Sequence, residues 1–317
     1  MIHHVFANRS NIGDWLSARG IQFLLQPLEV EEHLCDEPFV DETLSRLSQA
    51  GPDDLIIIGG GGLFMDYFEP FWRGFQTIAE RVPFCIWGVG YCDLKLEKSL
   101  PATSLIRAII ERSSLCIVRD ELTREYLNSS TLAEPVICPS VSVIHEQPVA
   151  ARGVLHVDNH STAGIAAYEA MCAVGEAFAV RTNRKYRQTN NHIESGNGQA
   201  LQATLNLYAA SDVILSSALH GCIIGVAMGR KVLAVSGDYK IEAFMQAAGL
   251  ADWVCDIEEL DDLAVRLEDL DNQPPCGDFI GAARLANQSV ANSVKSLYAR
   301  SQLSQIEIPE PEDLICA

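Results

Sequence analysis

Asp54-Leu55-Ile56-Ile57-Ile58-Gly59-Gly60-Gly61-Gly62 is the stretch that decides the fold. An unbroken aliphatic run with no polar alternation requires a strand covered on both faces, as parallel sheets provide. The glycines that follow end the strand in a tight turn and let backbone N–H groups come close to a ligand. A strand-to-helix turn with no ligand explains the same glycines. The run misses the dinucleotide pattern G-x-G-x-x-G, because the sixth position from Gly59 is Phe64 and from Gly60 is Met65. No G-K-[ST] follows either, so the phosphate loop of nucleotide hydrolases is absent.

The same rhythm extends to both sides. Strands are expected at Ile2–Phe6, Val82–Gly90 and Leu115–Arg119, with helices at 71–81, 102–113 and 121–128. A polar stretch through Pro148 to Gly153 reads as a joint, after which the alternation restarts. Strands follow at Gly153–Asp158, Phe178–Arg181, Val213–Ser216, Lys231–Val235 and Trp253–Ile257. Between and after them fall helices at 164–178, 199–210, 220–229, 240–248 and 258–270. Pro274-Pro275 breaks the chain, a last amphipathic helix covers 279–302, and the acidic tail after Ile306 reads as an extended surface segment. Strand–helix alternation of this kind predicts an α/β protein of two Rossmann-like, doubly wound domains. The expected boundaries are 1–147, 148–275 and, for the last helix and tail, 276–317.

Composition narrows the function. Its 317 residues suit two domains. Twenty-three Lys+Arg against 42 Asp+Glu give a formal charge of −19, which repels a polyphosphate backbone and argues against general nucleic-acid binding. An anionic ligand therefore needs a local basic site. No apolar run reaches the roughly 18 residues of a membrane span, and Met1-Ile2-His3-His4-Val5-Phe6 lacks the features of a secretory signal. Ten cysteines without a C-x-x-C pair have neither zinc-ligand spacing nor the density of a disulfide framework. A reduced, cytoplasmic protein is the expectation.

Ligands of doubly wound sheets bind beyond the carboxyl ends of the strands, so each candidate is judged by whether it follows one. Asn11-Ile-Gly-Asp14 follows the first strand, as a cap for a helix starting at Asp14 or Trp15 or as a pair of sugar ligands. Gly60, Gly61 and Gly62 follow the strand Asp54–Ile58. Arg119-Asp120-Glu121 ends another strand, and the arginine offers a fork to carboxylate or phosphate unless it is consumed by its acidic neighbours. Ser216-Ser217-Ala218-Leu219-His220-Gly221 places an imidazole at a helix N-terminus, where the dipole lowers its pKa and Gly221 permits close approach. A polar cap is the competing reading of His220. Asp238-Tyr239-Lys240 follows the next strand and borders the same cleft edge, with Asp238 also a credible helix cap.

Two further groups are weaker. His156, Asp158 and His160 alternate and would share one face of an extended strand end, for hydrogen bonds to a sugar rather than for metal, since no third strong ligand pattern accompanies them. Arg181, Arg184, Lys185 and Arg187 form a basic patch past a strand, either an anion site or a solvated loop.

The ordered set Asn11-x-Gly-Asp14, Leu55-Ile-Ile-Ile-Gly-Gly-Gly-Gly-Leu63, Gly88-Val-Gly90, Val118-Arg-Asp-Glu-x-Thr123, Cys138-Pro-Ser140, Leu219-His-Gly221 and Asp238-x-Lys240 resembles the polysaccharide pyruvyl transferase family over roughly 8–250. The resemblance implies a GT-B-like pair of Rossmann-like domains with a C-terminal helix returning across the joint. It implies transfer of the enolpyruvyl unit of phosphoenolpyruvate to sugar hydroxyls as a pyruvate ketal, in surface or exopolysaccharide synthesis, with no metal or cofactor beyond that donor substrate. Arg119 and Lys240 would hold the donor's carboxylate and phosphate, and His220 would act as general acid–base. Asn11, Asp14, Gly60, Gly61, Gly62, Asp158, His160, Arg184, Ser217, Gly221 and Asp238 would bind substrate. The acceptor would be a saccharide, free or carried on a lipid diphosphate.

One position departs. The family's commonest motif has arginine directly before Leu-His-Gly, and here it is Ala218. A lost cation at a phosphate site costs on the order of 2–4 kcal/mol of transition-state stabilisation. Either the 181–187 patch or Arg230 substitutes, or donor and activity have changed. The alternatives are a GT-B glycosyltransferase using a nucleotide sugar and a non-catalytic sugar-phosphate binding protein.

Overall fold

A computed structural model of the chain describes residues 1–96, 102–129, 132–146, 152–274 and 278–303, without the side chains of 160–163 and 303. The expected joint and the acidic tail fall largely or wholly outside these residues. Among the described residues no helix is long and apolar enough to cross a membrane, and the eight cysteines are free thiols.

The first half runs β1 (Ile2–Phe6), α1 (Ile12–Leu25), β2 (Val30–Leu34), α2 (Val40–Leu47), β3 (Leu55–Ile58), α3 (Glu69–Ile78), β4 (Phe84–Val89), α4 (Thr103–Ile110), β5 (Leu115–Val118) and α5 (Glu121–Leu127). The second runs β6 (Gly153–Val157), α6 (His160–Arg181), β7 (Lys185–Thr189), α7 (Gly198–Ala209), β8 (Val213–Ser216), α8 (Leu219–Ala227), β9 (Lys231–Ser236), α9 (Tyr239–Ala247), β10 (Val254–Asp256) and α10 (Leu263–Asp271). A long α11 (Phe279–Leu303) ends the described chain. The strands form two parallel five-stranded sheets, ordered β2-β1-β3-β4-β5 and β10-β9-β8-β6-β7. Helices cover both, which is why β3, β4 and β8 are buried at every residue.

The α11 helix turns back on the first half. Val290, Ala291 and Val294 join the core of Ile2, Leu25, Ile57 and Trp87. Asn287 accepts from the Trp87 indole at 2.9 Å and donates to the Ile137 carbonyl at 2.8 Å. Arg284 donates to the Val141 carbonyl at 2.9 Å, at the 3₁₀ turn Pro139–Ser142 that leads to the joint. Gly20 lets α1 lie on that same turn, since a Cβ there would stand 2.1 Å from the Pro139 carbonyl oxygen.

Two expectations are corrected. Residues 178–181 are the last turn of α6, not a strand; the strand is β7, Lys185–Thr189. Its residues are half-buried or exposed and polar for the most part, so it carries no apolar run. Strand β2, Val-Glu-Glu-His-Leu, escapes sequence reading because it too lacks an apolar run. The second correction is at the first helix, which begins at Ile12, with Asn11 as its cap, rather than at Asp14 or Trp15.

Candidate functional site

The carboxyl ends of both sheets face one another, and two backbone bridges close the cleft between them. Ile12 N–H donates to the Asn191 carbonyl at 3.0 Å and Ile193 N–H to Ser10 at 2.8 Å. At the other side Lys95 N–H donates to Gly237 at 3.0 Å and Tyr239 N–H to Asp93 at 3.1 Å. Between the bridges lies a cavity of about 490 Å³ lined by residues that include Asn11, Asp14, Arg119, His220 and Lys240.

Each of these is held in place by its local fold. Asn11 accepts from Gly13 N–H at 2.9 Å, so α1 starts with Asp14 in its first turn facing the cavity. Gly60 and Gly61, at φ of 100° and 121°, adopt left-handed backbone that L side chains rarely enter. A Cβ on Gly61 would sit 3.0 Å from the Asp14 carboxylate, so the glycine run cradles that side chain. Gly62 lines the cavity itself.

Arg119 lies at the end of β5 and is 4 % exposed. Its Nε donates to Asp120 at 2.8 Å and an Nη to the Tyr91 carbonyl at 3.2 Å. A Cβ on Gly90 would fall 2.1 Å from the guanidinium, so only glycine leaves room for it. Asp120 also caps α5 through Thr123 N–H at 2.9 Å.

Lys240 comes from the other sheet. Its Nζ lies 2.6 Å from Asp238 and 3.2 Å from the Cys92 sulfur, which belongs to the first half. Asp238 is fully buried and accepts from Lys240 N–H at 3.1 Å and from Asp93 N–H at 3.2 Å. Burial opposes the ammonium charge, but Cys92 and Asp238 outweigh it and raise the pKa. Lys240 therefore stays cationic.

His220 is the second residue of α8, and its ring crosses to the first half. A Cβ on Gly13 would stand 2.0 Å from the imidazole, so that glycine exists to admit the ring. Its Nε2 lies 3.6 Å from the Cys138 sulfur. Burial first, then the charges of Arg119 and Lys240, lower its pKa to about 3. Burial raises Asp14 to about 7, against the pull of Lys240 and Arg119. The cavity thus holds a neutral imidazole beside a carboxyl that titrates near neutrality, two groups moved in opposite directions by one environment.

Other expected site residues lie elsewhere. Arg184 precedes β7, at the opposite end of the sheet, where Asp212 and Asp271 each take two of its nitrogens at 2.7–3.2 Å. Arg230 is 1 % exposed and donates to the Ala209 carbonyl at 3.1 Å. Neither can stand in for the arginine missing at Ala218, which caps α8 and lines the cavity with a methyl group. Gly221 makes room for the Ser216 hydroxyl, 2.1 Å from where its Cβ would be, and not for a ligand. Ser217 is buried and accepts from Asn159 N–H at 2.8 Å. Asp158 is buried just past β6, whose end at Val157 removes the shared face expected for His156, Asp158 and His160. His156 instead bonds Tyr186 at 2.9 Å, and the His160 side chain is outside the description.

Sequence reading missed Asn159, Asn190, Asn191, His192, Tyr67, Phe68 and Cys92, all of which line the cavity. Asn191, at φ 60°, is pinned by the Tyr208 hydroxyl at 2.8 Å. The signal was the polar run Asn190-Asn191-His192, hidden because β7 was placed too early.

A family model described as polysaccharide pyruvyl transferase matches residues 10–239. No curated protein sequence matches the chain. Among solved structures, UDP-GlcNAc 2-epimerase from Neisseria meningitidis is similar at a TM-score of 0.58 and 10% identity, covering 93% of this chain and 99% of that one. The corresponding epimerase from Methanocaldococcus jannaschii gives 0.56 and 8%, with coverage of 93% and 99%. A functionally uncharacterised protein from Klebsiella pneumoniae gives 0.53 and 13%, covering 80% and 91%. At such identities the likeness speaks for the GT-B-like fold alone.

Proposed function

The chain belongs to the polysaccharide pyruvyl transferase family, and on that premise we propose that it transfers the enolpyruvyl unit of phosphoenolpyruvate to hydroxyls of a saccharide, forming a pyruvate ketal. The observation that carries the reading is convergence: Arg119 from one sheet and Lys240 and His220 from the other meet Asp14 in one cavity. Phosphoenolpyruvate carries about three negative charges, and Arg119 and Lys240 are the Arg and Lys residues in that lining. Arg119 has a guanidinium edge left over after Asp120 and Tyr91, suited to the carboxylate. Lys240, a point charge with a spare proton, suits the phosphate.

The chemistry follows from the two displaced pKa values. Neutral His220 takes the proton of the attacking hydroxyl as its oxygen bonds to C2 of the donor. Asp14, protonated in part at neutral pH, gives a proton to C3, which becomes the methyl group. The C2–O bond to phosphate then breaks, with the His220 proton leaving on the phosphate. The second hydroxyl closes the ketal and returns a proton to Asp14. Every proton is accounted for within the pair. Donor binding also primes the acid, because the donor offsets the Lys240 and Arg119 charges that pull Asp14 down and so favours its protonated form.

The amides of Asn11, Asn159, Asn190 and Asn191 and the rings of Tyr67 and Phe68 give the remaining wall the character of a sugar site. The test is phosphate release from phosphoenolpyruvate across a panel of free and lipid-linked saccharides. Acceptor-dependent release is expected. No release with any acceptor, alongside tight binding of uridine diphosphate, would move the assignment to a nucleotide-sugar enzyme.

A further inference from the structure

Away from the cleft, on the face of the first sheet opposite α1 and α11, three side chains converge without a role in the reaction. Glu31 and His33 lie two residues apart on β2 and so share a face. The parallel register sets His3 of β1 beside Glu31, and Val5 beside His33. His3 Nδ1 stands 3.1 Å from His33 Nε2 and 3.5 Å from a Glu31 carboxylate oxygen. His33 Nε2 is 3.9 Å from the other carboxylate oxygen.

We propose that His3, Glu31 and His33 form a site for a zinc-class divalent cation that ties the edge strand β2 to β1. Nitrogen and oxygen ligands about 2.0–2.1 Å from a tetrahedral zinc lie about 3.3–3.4 Å from one another. The two nitrogens at 3.1 Å and the carboxylate contacts at 3.5 and 3.9 Å, one to each Glu31 oxygen, lie near that spacing, and one ligating atom from each residue lies within 4.8 Å of the other two. The donor set of two imidazoles and a carboxylate is one that zinc accepts, with a fourth position for water. Among the described residues this is the group of His, Cys, Asp and Glu whose ligating atoms lie close enough to hold an ion.

Burial supports the assignment. His3 and His33 are 8 % and 6 % exposed, so their rings are positioned by the sheet. The Glu31 side chain is 43 % exposed, which leaves an ion a way in from solvent. A hydrogen-bonded His–His–Glu cluster with no ion is the competing explanation of the same contacts. Strand β2 gives the ion a purpose, because among the described residues it pairs with β1 alone and is largely polar. His3 also lies about 10 Å, three residues of strand, before the end of β1 that opens on the cleft. Losing the ion should loosen the edge and leave the reaction intact.

The test uses the full chain, stripped with a chelator and titrated with zinc and, separately, with cobalt. Binding of about one ion per chain is expected, with the visible absorption of tetrahedral cobalt and no thiolate charge-transfer band. A hundredfold excess over Kd should raise Tm by about 4 °C. His33→Gln should weaken binding at least tenfold, and Glu31→Gln, at a half-exposed position that does not threaten folding, should do the same. No binding by the unaltered chain overturns the proposal. Undiminished binding in Glu31→Gln, or a thiolate band, also overturns it by placing the ion elsewhere.

Discussion

The two ends of the sheets handle buried cations in opposite ways. At the amino end of the second sheet, Arg184 meets two carboxylates that between them engage every nitrogen of its fork. At the carboxyl ends, Arg119 spends part of its fork on Asp120 and Tyr91, and Lys240 holds one carboxylate, Asp238. The first arrangement leaves nothing for a ligand. The second leaves donors lining a cavity and charge that, added to burial, holds His220 neutral. An arginine in a cleft-forming fold is thus read by what remains after its neighbours are counted, not by its proximity to a strand.

That contrast can be broken by substitution. Arg119→Ala and Lys240→Ala should each lower kcat/KM for phosphoenolpyruvate by about 10²–10³-fold, the scale of losing one fixed charge donor at a reacting anion. Arg184→Met should leave kcat/KM within about twofold and instead destabilise the fold by about 3 kcal/mol, since Asp212 and Asp271 are left facing each other. Steady-state kinetics and a denaturant midpoint on the same preparations decide between them. If Arg184→Met lost donor affinity at full stability, the two ends would not differ as described.

A smaller effect sharpens the functional side. The Asp14 carboxyl titrates near 7 in the folded chain against an ordinary value of 3.8. A raised carboxyl pKa means the folded state favours the proton, so its contribution is intact below about pH 4 and is lost as pH rises through 7. Asp14→Asn should therefore stabilise the protein by about 1–3 kcal/mol at pH 8 and by almost nothing at pH 4, while abolishing turnover. Equal stabilisation at both pH values would show that burial does not strain this carboxyl.

Much of this contrast was legible in the sequence, unevenly. Strands buried on both faces announce themselves, as Leu55–Ile58 and Val213–Ser216 do, because continuous apolar runs have few other uses. The edge strands β2 and β7 do not, since solvent on one side lets Glu31, Glu32, Lys185 and Arg187 into them. Misplacing β7 had two consequences. It put Arg184 after a strand when it stands before one, and it hid the asparagines at the strand's true end. Arg119, His220 and Lys240 could be found because each comes within about four residues of the end of a buried strand. What no single-chain pattern could give was the contact across the cleft, where Gly13 yields its space to a ring more than two hundred residues away.

One cavity should bind a trianionic donor and, in doing so, protonate its own acid, Asp14. Calorimetric titration with phosphoenolpyruvate, repeated in buffers of different ionisation enthalpy, measures both at once. Binding with net proton uptake near pH 7 is expected, lost in Asp14→Asn and absent with Arg119→Ala because binding itself is lost. Binding with no proton uptake, or uptake unchanged in Asp14→Asn, would contradict this.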